Sequence, residues 1–250
     1  MKTKLLLDKY VKQYEVKDFI KGDPIQFPHG FVQKFDIEIA GFIASMMAYG
    51  KRENFINKLN ELFSIMENRP YDYVLSYSEN NKELSGFNYR FSKDVDFSQV
   101  LLILKDLYSQ KESLESLFAY SYKSAVSQSS YFQGVIDYFY SRVSLDVTQG
   151  FYHLLPNPKN GSAMKRLNML MRWFVRDGEV DLGIWDFVSK ADLFIPLDTH
   201  VARLSRELGL LNRNSNDFCS VLELTKELKK FDNEDPVKYD FALFGYGVNN

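Results

Sequence analysis

Apolar residues recur along this chain at the spacing of an α-helix, whereas the strict apolar–polar alternation of a half-buried β-strand is scarce. The stretch 36–49 is nearly all apolar, and its small residues at 40, 41, 44, 45 and 48 allow neighbouring backbones to approach closely. We therefore predict a central, buried helix over 36–49. The same spacing predicts further helices at 52–67, 97–109, 112–122, 129–144, 162–176, 198–208 and 217–230, and a last one with Pro236 in its first turn.

Glycine, proline and short polar stretches separate these helices at 21–30, 78–86 and 155–162, where loops are expected. The chain shows no internal repeat and no long linker. We therefore predict an all-α fold in which residues 1–250 form a single compact domain of two helical lobes.

Composition narrows the function classes. The formal net charge is -2 and the pI is about 6.0, which excludes a globally basic nucleic-acid binder but leaves room for a local basic face. One cysteine, Cys219, excludes a disulfide framework and cysteine-ligated iron–sulfur or zinc sites, and the three histidines are far apart in sequence. We expect no metal and no cofactor. No apolar run is long enough for a signal peptide or a membrane span, so we expect a cytoplasmic monomer without a membrane partner.

The main electrostatic anomaly is a window without acidic residues between Asp146 and Asp177. Its basic residues are Lys159, Lys165, Arg166, Arg172 and Arg176. A charge cluster of this kind is most often a solvated helix face. The alternative is a surface for phosphate groups, because the loop NPKNGS, with Gly161, leads into a helix N-terminus that favours anions.

A second candidate functional residue, Asp198, lies in the stretch IPLDTHVARL, residues 195–204. Asp198 stands where a helix begins, and an aspartate there commonly caps the first turn. The same carboxylate has enough acceptor sites to serve a second role, such as taking up a proton in catalysis.

The order of these features resembles the helix–hairpin–helix DNA glycosylase superfamily, the group of endonuclease III and the 8-oxoguanine glycosylases. It consists of a Pro/Gly loop, a basic helix with Lys165, the segment PLDTHVARL and a closing helix YDFALFGYG. The hairpin with two glycines is replaced by NPKNGSAMK, and 33 positions separate Lys165 from Asp198, which is closer to the archaeal 8-oxoguanine branch. The segments GDPIQFPHGF and SAMKRLNMLMRWFVR also resemble a bacterial family of unknown function that is grouped with this superfamily.

The resemblance implies a two-lobed glycosylase-like fold with its hairpin and catalytic region at about 155–209. It implies a DNA glycosylase with AP lyase activity, acting on double-stranded DNA with a damaged base, most simply an oxidised purine. Lys165 would be the nucleophile and Asp198 the catalytic carboxylate, and the two should lie a few ångströms apart in one pocket. DNA contacts would come from Lys159, Gly161, Arg166, Arg172, Arg176, His200, Lys51 and Arg52.

Two other hypotheses remain open at this stage. The first is a nucleic-acid-binding protein on the same fold without catalysis, in which Lys165 contacts phosphate and Asp198 only caps its helix. The second is a purely structural helical adaptor. Fold alone does not separate the three.

Overall fold

The computed structural model describes residues 2–249, with side chains up to Gly247. About 61% of the chain is helical, and within the described residues the only β-pairing consists of isolated bridges such as Ser162–Asp217. The predicted all-α class is therefore confirmed. The α-helices of residues 2–249 are α1 (Lys2–Tyr14), α2 (Gln26–His29), α3 (Lys34–Met47), α4 (Arg52–Ile65), α5 (Pro70–Ser76), α6 (Asp94–Ser109), α7 (Leu114–Ser124), α8 (Gln133–Tyr140), α9 (Gln149–Leu154), α10 (Lys165–Val175), α11 (Thr199–Glu207), α12 (Phe218–Lys229) and α13 (Tyr239–Asn249).

Most helices lie within a few residues of their predicted bounds. The differences are that the run predicted at 129–144 is helical only over Gln133–Tyr140 after a short 3-10 turn, and that α1, α5 and α9 were not predicted. Helix α2 lies inside a segment predicted as a loop. These missed helices have between 4 and 13 residues, and the three shorter ones span too few turns to show a clear apolar period.

The helices form two compact units, a middle unit (residues 22–160) and a terminal unit (residues 2–21 and 161–249). Helix α3 is the centre of the middle unit, because every residue from Ile37 to Met47 is buried. Its Phe42 contacts the rings of Phe118 and Phe139. One buried acid of α3, Glu38, accepts a 2.7 Å hydrogen bond from the hydroxyl of Tyr108, which satisfies part of its need for polar partners.

Helix α10 is the centre of the terminal unit, because eight of its eleven residues are buried, from Leu167 through Phe174. Helix α13 packs against both α1 and α11 in this unit. Two further helices of this unit begin at a capping aspartate. Asp198 caps α11 and Asp217 caps α12, and each side chain accepts at least one backbone N–H group. These caps satisfy donors that a helix leaves without intrahelical partners.

None of the helices in residues 2–249 combines the length and the apolar character that crossing a membrane requires.

The packing of α1 on α13 generates a prediction about two glycines of the same helix. A Cβ at Gly245 would lie 2.4 Å from the ring of Tyr14, whereas a Cβ at Gly247 would meet its nearest atom at 3.5 Å, an ordinary contact. Alanine in a helix interior is favoured over glycine by about 0.5–1 kcal/mol. We therefore expect Gly247→Ala to be neutral or stabilising, and Gly245→Ala to lower the free energy of unfolding by about 1–3 kcal/mol through overpacking.

Urea unfolding of both variants and the wild-type protein measures this difference. Equal effects of the two substitutions would contradict the described contact between α1 and α13.

Candidate functional site

Lys165 is the first residue of α10, which begins three residues after the start of the helix predicted at 162–176. The chain enters this helix through Met164, which has a left-handed backbone with φ 50°, and the side-chain amide of Asn168 donates a 3.0 Å hydrogen bond to the Ala163 carbonyl. Within the described residues the N-terminus of α10 has no side-chain cap. Its first N–H groups are therefore not committed to a capping side chain, which suits an anion.

The Lys165 amine is half-buried, and its Nζ lies 3.6 Å from the sulfur of Met169. Within residues 2–249 it makes no direct ion pair with a carboxylate. Its amine is therefore not occupied by direct contact with a carboxylate from this part of the chain.

Asp198 caps α11, as predicted. Its Oδ1 accepts the backbone N–H groups of His200 and Val201, both at 2.9 Å. Both capping bonds fall on Oδ1, so the cap leaves Oδ2 available. The side chain is half-buried, so this oxygen is not sealed in the core.

Asp240 of α13 connects these two residues. Its carboxyl is buried, and it accepts a short hydrogen bond from Nη1 of Arg172. Burial raises the pKa of Asp240 to about 6; Arg172 and Lys165 oppose that rise, and Asp198 adds to it. Lys165 and Asp198 are thus both within electrostatic range of one buried carboxyl, and we call these three residues the lysine–aspartate cluster.

Beneath this cluster lies a buried charge network of Arg172, Arg176, Glu15, Asp181, Asp235 and Asp240. Asp181 joins the two arginines, with Oδ1 3.2 Å from Nε of Arg172 and Oδ2 3.0 Å from Nη1 of Arg176. Burial raises the pKa of Asp181 although both arginines lower it. For Arg176, burial lowers the pKa, but Glu15, Asp181 and Asp235 together raise it.

This network corrects the prediction for Arg172 and Arg176. Both were predicted to contact DNA phosphate, yet both are buried and paired with carboxylates, with exposed fractions of 3% and 4%. The sequence window 147–176 contains no acidic residue. In the folded protein, however, the carboxylates of residues 15, 181, 235 and 240 form ion pairs with these two arginines. The alternative interpretation, in which these two arginines lie on a solvent-exposed face of the helix, is wrong for the same reason.

The remaining predicted residues of the terminal unit lie near the starts of helices. Gly161 has φ +73°, which favours glycine, and its carbonyl accepts a 3.2 Å hydrogen bond from Phe218 N–H at the start of α12. Arg166 is half-buried at the second position of α10, and His200 is exposed at the second position of α11.

Three predicted contacts belong to the middle unit. Lys159 is exposed in a 3-10 turn over Pro158–Asn160. Lys51 and Arg52 are exposed at the start of α4, directly after Gly50. The contact of all these residues with DNA stays a prediction.

Asp240 is the residue that the sequence interpretation missed. It is the one acid in the otherwise apolar and aromatic run YDFALFGYG at 239–247. A lone acid in an apolar helix costs free energy unless it is paired, and this was the available signal. Within residues 2–249, no three His, Cys, Asp or Glu side chains are arranged to hold a metal ion.

Comparison with known proteins gives one match. A family model described as "Protein of unknown function (DUF2400)" matches residues 23–249. No curated protein and no solved structure matches the chain. The predicted resemblance to the helix–hairpin–helix glycosylase superfamily is therefore wrong, because the family that matches is one of unknown function.

The buried carboxyl of Asp240 generates a prediction about stability and pH. Its pKa rises from 3.8 to about 6 on folding, so the folded protein keeps this proton to higher pH than the unfolded chain does. The stability that the proton contributes is fully present below about pH 4 and is lost as the pH rises through about 6. The Asp240→Asn variant lacks this titration.

We therefore expect the free energy of unfolding of the wild type, minus that of Asp240→Asn, to fall by about 2 kcal/mol between about pH 4 and pH 6, out of about 3 kcal/mol over the whole titration. Urea unfolding of both proteins over this range measures the difference. A difference that is constant with pH, or that rises, would contradict the described burial of this carboxyl.

Proposed function

The chain belongs to the family described as "Protein of unknown function (DUF2400)", and we propose from its own residues that it excises a damaged base from DNA by lysine Schiff-base chemistry. Lys165 is the nucleophile in this proposal and Asp198 is the carboxylate that takes its proton. The proposal rests on these side chains and on no relationship to a known glycosylase.

The observation that carries the proposal is the lysine–aspartate cluster. Lys165 and Asp198 are 33 positions apart in sequence, yet both act on the buried carboxyl of Asp240. The buried side chain of Arg172 forms an ion pair with that carboxyl. Both side chains are half-buried, and in this proposal they exchange a proton once substrate is bound.

The surroundings of Lys165 support a nucleophilic role. The nearest polar partner of Lys165 is the thioether of Met169, at 3.6 Å, so no carboxylate among the described residues competes with a substrate for the amine by direct contact. The amine is also accessible, because its side chain is only half-buried.

Asp198 supports the proposal through its unused oxygen. Because Oδ1 accepts both capping bonds, Oδ2 can accept a proton without loss of the cap. The cap in turn fixes the carboxylate in position before substrate binds, which lowers the reorganisation that catalysis requires.

The proposed reaction balances in two steps. The amine forms a bond to C1′ as the C1′–N bond breaks, the base leaves with that electron pair and takes up a proton, and the amine gives a proton to Asp198. The C1′–O4′ bond then opens with protonation of O4′, which leaves a Schiff base between Lys165 and the sugar. Loss of a C2′ proton breaks the C3′–O3′ bond and cleaves the strand.

DNA as the partner is supported by groups that suit phosphate. The N-terminus of α10 has no side-chain cap among the described residues, and Arg166 follows Lys165 on the first turn. Arg172 and Arg176 are not part of this proposal, because the buried charge network occupies them.

A second candidate function is nucleic-acid binding without catalysis. The observation that favours it is the cap itself, since two 2.9 Å hydrogen bonds account for an aspartate at position 198 without any reaction. The two candidates differ in what the substitutions below do to excision.

The first prediction concerns the covalent intermediate. With an oligonucleotide that carries an oxidised purine or an abasic site, borohydride should reduce the Schiff base and trap a protein–DNA adduct. Lys165→Gln should abolish the adduct, because glutamine cannot form an imine, while the variant still binds DNA. Lys226→Gln, which removes an exposed lysine of α12, is the matched control and should trap like the wild type. An adduct that persists in Lys165→Gln would assign the nucleophile elsewhere.

The second prediction separates capping from catalysis at Asp198. Asparagine caps a helix about as well as aspartate, so Asp198→Asn should keep the wild-type stability within a few tenths of a kcal/mol, and Asp198→Ala should lose about 1 kcal/mol. If Asp198 takes the proton, Asp198→Asn should lose base excision by about 100-fold or more while DNA binding is retained. Full excision by the asparagine variant would leave Asp198 with its capping role alone.

A further inference from the structure

A tight turn of the middle unit presents an arginine and a phenylalanine at its tip. Tyr89 and Ser92 close the turn, each donating its N–H to the carbonyl of the other at 2.9 Å. Arg90 has a left-handed backbone with φ 53°, and the Phe91 side chain next to it is 58% exposed. The turn therefore presents a largely exposed aromatic ring beside a basic side chain.

The turn is anchored from below. The Ser92 hydroxyl is buried and donates a 3.1 Å hydrogen bond to the carbonyl of Gly150 in α9. A Cβ at Gly150 would lie 2.3 Å from the carbonyl oxygen of Phe91, so only glycine permits this approach. Buried Asp96 accepts hydrogen bonds from Lys93 N–H and from the Thr148 hydroxyl, which ties the end of the turn to the start of α9. The tip is therefore held in place before any partner binds.

A row of rings continues from the exposed tip inward to the buried ring of Tyr89. The ring of His153 is 5.1 Å from that of Phe91 and 4.7 Å from that of Tyr49, and the Tyr49 ring is 4.9 Å from that of Tyr89. The guanidinium of Arg90 lies 5.5 Å from the Phe91 ring and 5.8 Å from the Tyr49 ring. We call these residues, Tyr49, Tyr89, Arg90, Phe91 and His153, the Phe91 patch.

The sequence segments that form this patch are rich in basic residues. The segments 49–53 and 89–94 contain four basic residues and two acidic ones: Lys51, Arg52, Arg90 and Lys93 against Glu53 and Asp94. The two segments are in contact, because the Arg90 side chain lies against Gly50. Within residues 2–249, Arg90 makes ring contacts and no ion pair with a carboxylate. Its charge is therefore available to an anionic partner.

We propose that the Phe91 patch binds unpaired nucleotides of a nucleic acid, with a base stacked on Phe91 and the flanking phosphates on Arg90, Lys51 and Arg52. Exposed aromatic rings interleaved with basic side chains form the platform on which single-stranded nucleic acids bind, because every base has a flat face and every linkage an anion. The rigid turn lowers the entropic cost of ordering the site.

The charge and shape of the Phe91 patch favour a nucleic acid over a protein as its partner. A second copy of this chain that met the patch about a two-fold axis would bring two basic surfaces together, which is unfavourable. A hydrophobic partner would need a contiguous apolar patch, and here the exposed ring of Phe91 has the guanidinium of Arg90 beside it, at 5.5 Å. The proposal is independent of the chemistry at Lys165, since none of its residues belongs to the lysine–aspartate cluster.

The experiment compares two single-stranded probes of about 12 nucleotides: labelled oligo(dT), and an abasic chain of the same length with the same phosphates. The sugars of the abasic chain are tetrahydrofurans without a C1′ hydroxyl, so they cannot form a Schiff base with a lysine. Fluorescence anisotropy with the full-length protein measures both affinities at several salt concentrations. The wild type should bind oligo(dT) more tightly than the abasic chain. Phe91→Ala should weaken oligo(dT) binding by about 5- to 150-fold, the size of one stacking contact, and leave the abasic chain unchanged.

Three further variants identify the interaction. Phe91→Trp keeps a flat ring and should retain oligo(dT) binding. Arg90→Gln should weaken both probes alike and reduce the slope of log affinity against log salt by about 0.7, the value for one phosphate contact on a single strand. Tyr120→Ala is the matched control, because Tyr120 is an exposed aromatic residue of α7 in the same unit, at 69% exposure, and it should change neither affinity.

The proposal is overturned if Phe91→Ala weakens both probes equally, or neither, because stacking then plays no part. It is also overturned if the wild type binds neither probe. If sedimentation shows a wild-type dimer that Phe91→Ala dissociates, the patch is an interface between copies of this chain. Because the readout is binding, failure of the Schiff-base chemistry leaves this test unaffected.

Discussion

The terminal unit depends on the ion pairs that two arginines of α10 make inside its core. Arg172 and Arg176 reach carboxylates from four separate parts of the chain, at residues 15, 181, 235 and 240. Through these contacts α10 is joined to the end of α1, to the segment after α10 and to α13. Removing one partner of a buried pair costs about 3–5 kcal/mol, because it leaves an uncompensated charge in the core. The network therefore links α10 to the other parts of the terminal unit that carry these carboxylates.

The same helix carries the candidate chemistry at its other end. Lys165 precedes Arg172 by seven residues, or about two turns, so both lie on one face of α10. Asp240 links the two residues, because it forms an ion pair with Arg172 and the charge of Lys165 lowers its pKa. A change in the core network would thus reach the lysine–aspartate cluster through Asp240. In this arrangement the buried ions are a support for the site and are not a surface for substrate.

The structural features that could be predicted from the sequence are those with a local cause. The apolar period of α3 and the capping aspartate Asp198 are properties of a few neighbouring residues, and both predictions are confirmed. The prediction for Arg172 failed because its partner Asp240 is 68 positions away in sequence, and its other partner, Asp181, lies just past the acid-free window. The short segment PLDTHVARL has a sufficient cause in the helix cap, so it did not establish a superfamily. The exposure of Phe91 depends on a turn that no composition reveals.

The central claim is that the amine of Lys165 is the reactive group of this protein. The most direct measurement is mass spectrometry of the wild-type protein after reaction with an abasic oligonucleotide and borohydride, followed by digestion and mapping of the modified lysine. The account predicts a reduced sugar adduct on the peptide that contains Lys165 and on no other lysine peptide. An adduct spread over exposed lysines, such as Lys51 and Lys159, or the absence of an adduct from every peptide, would contradict it.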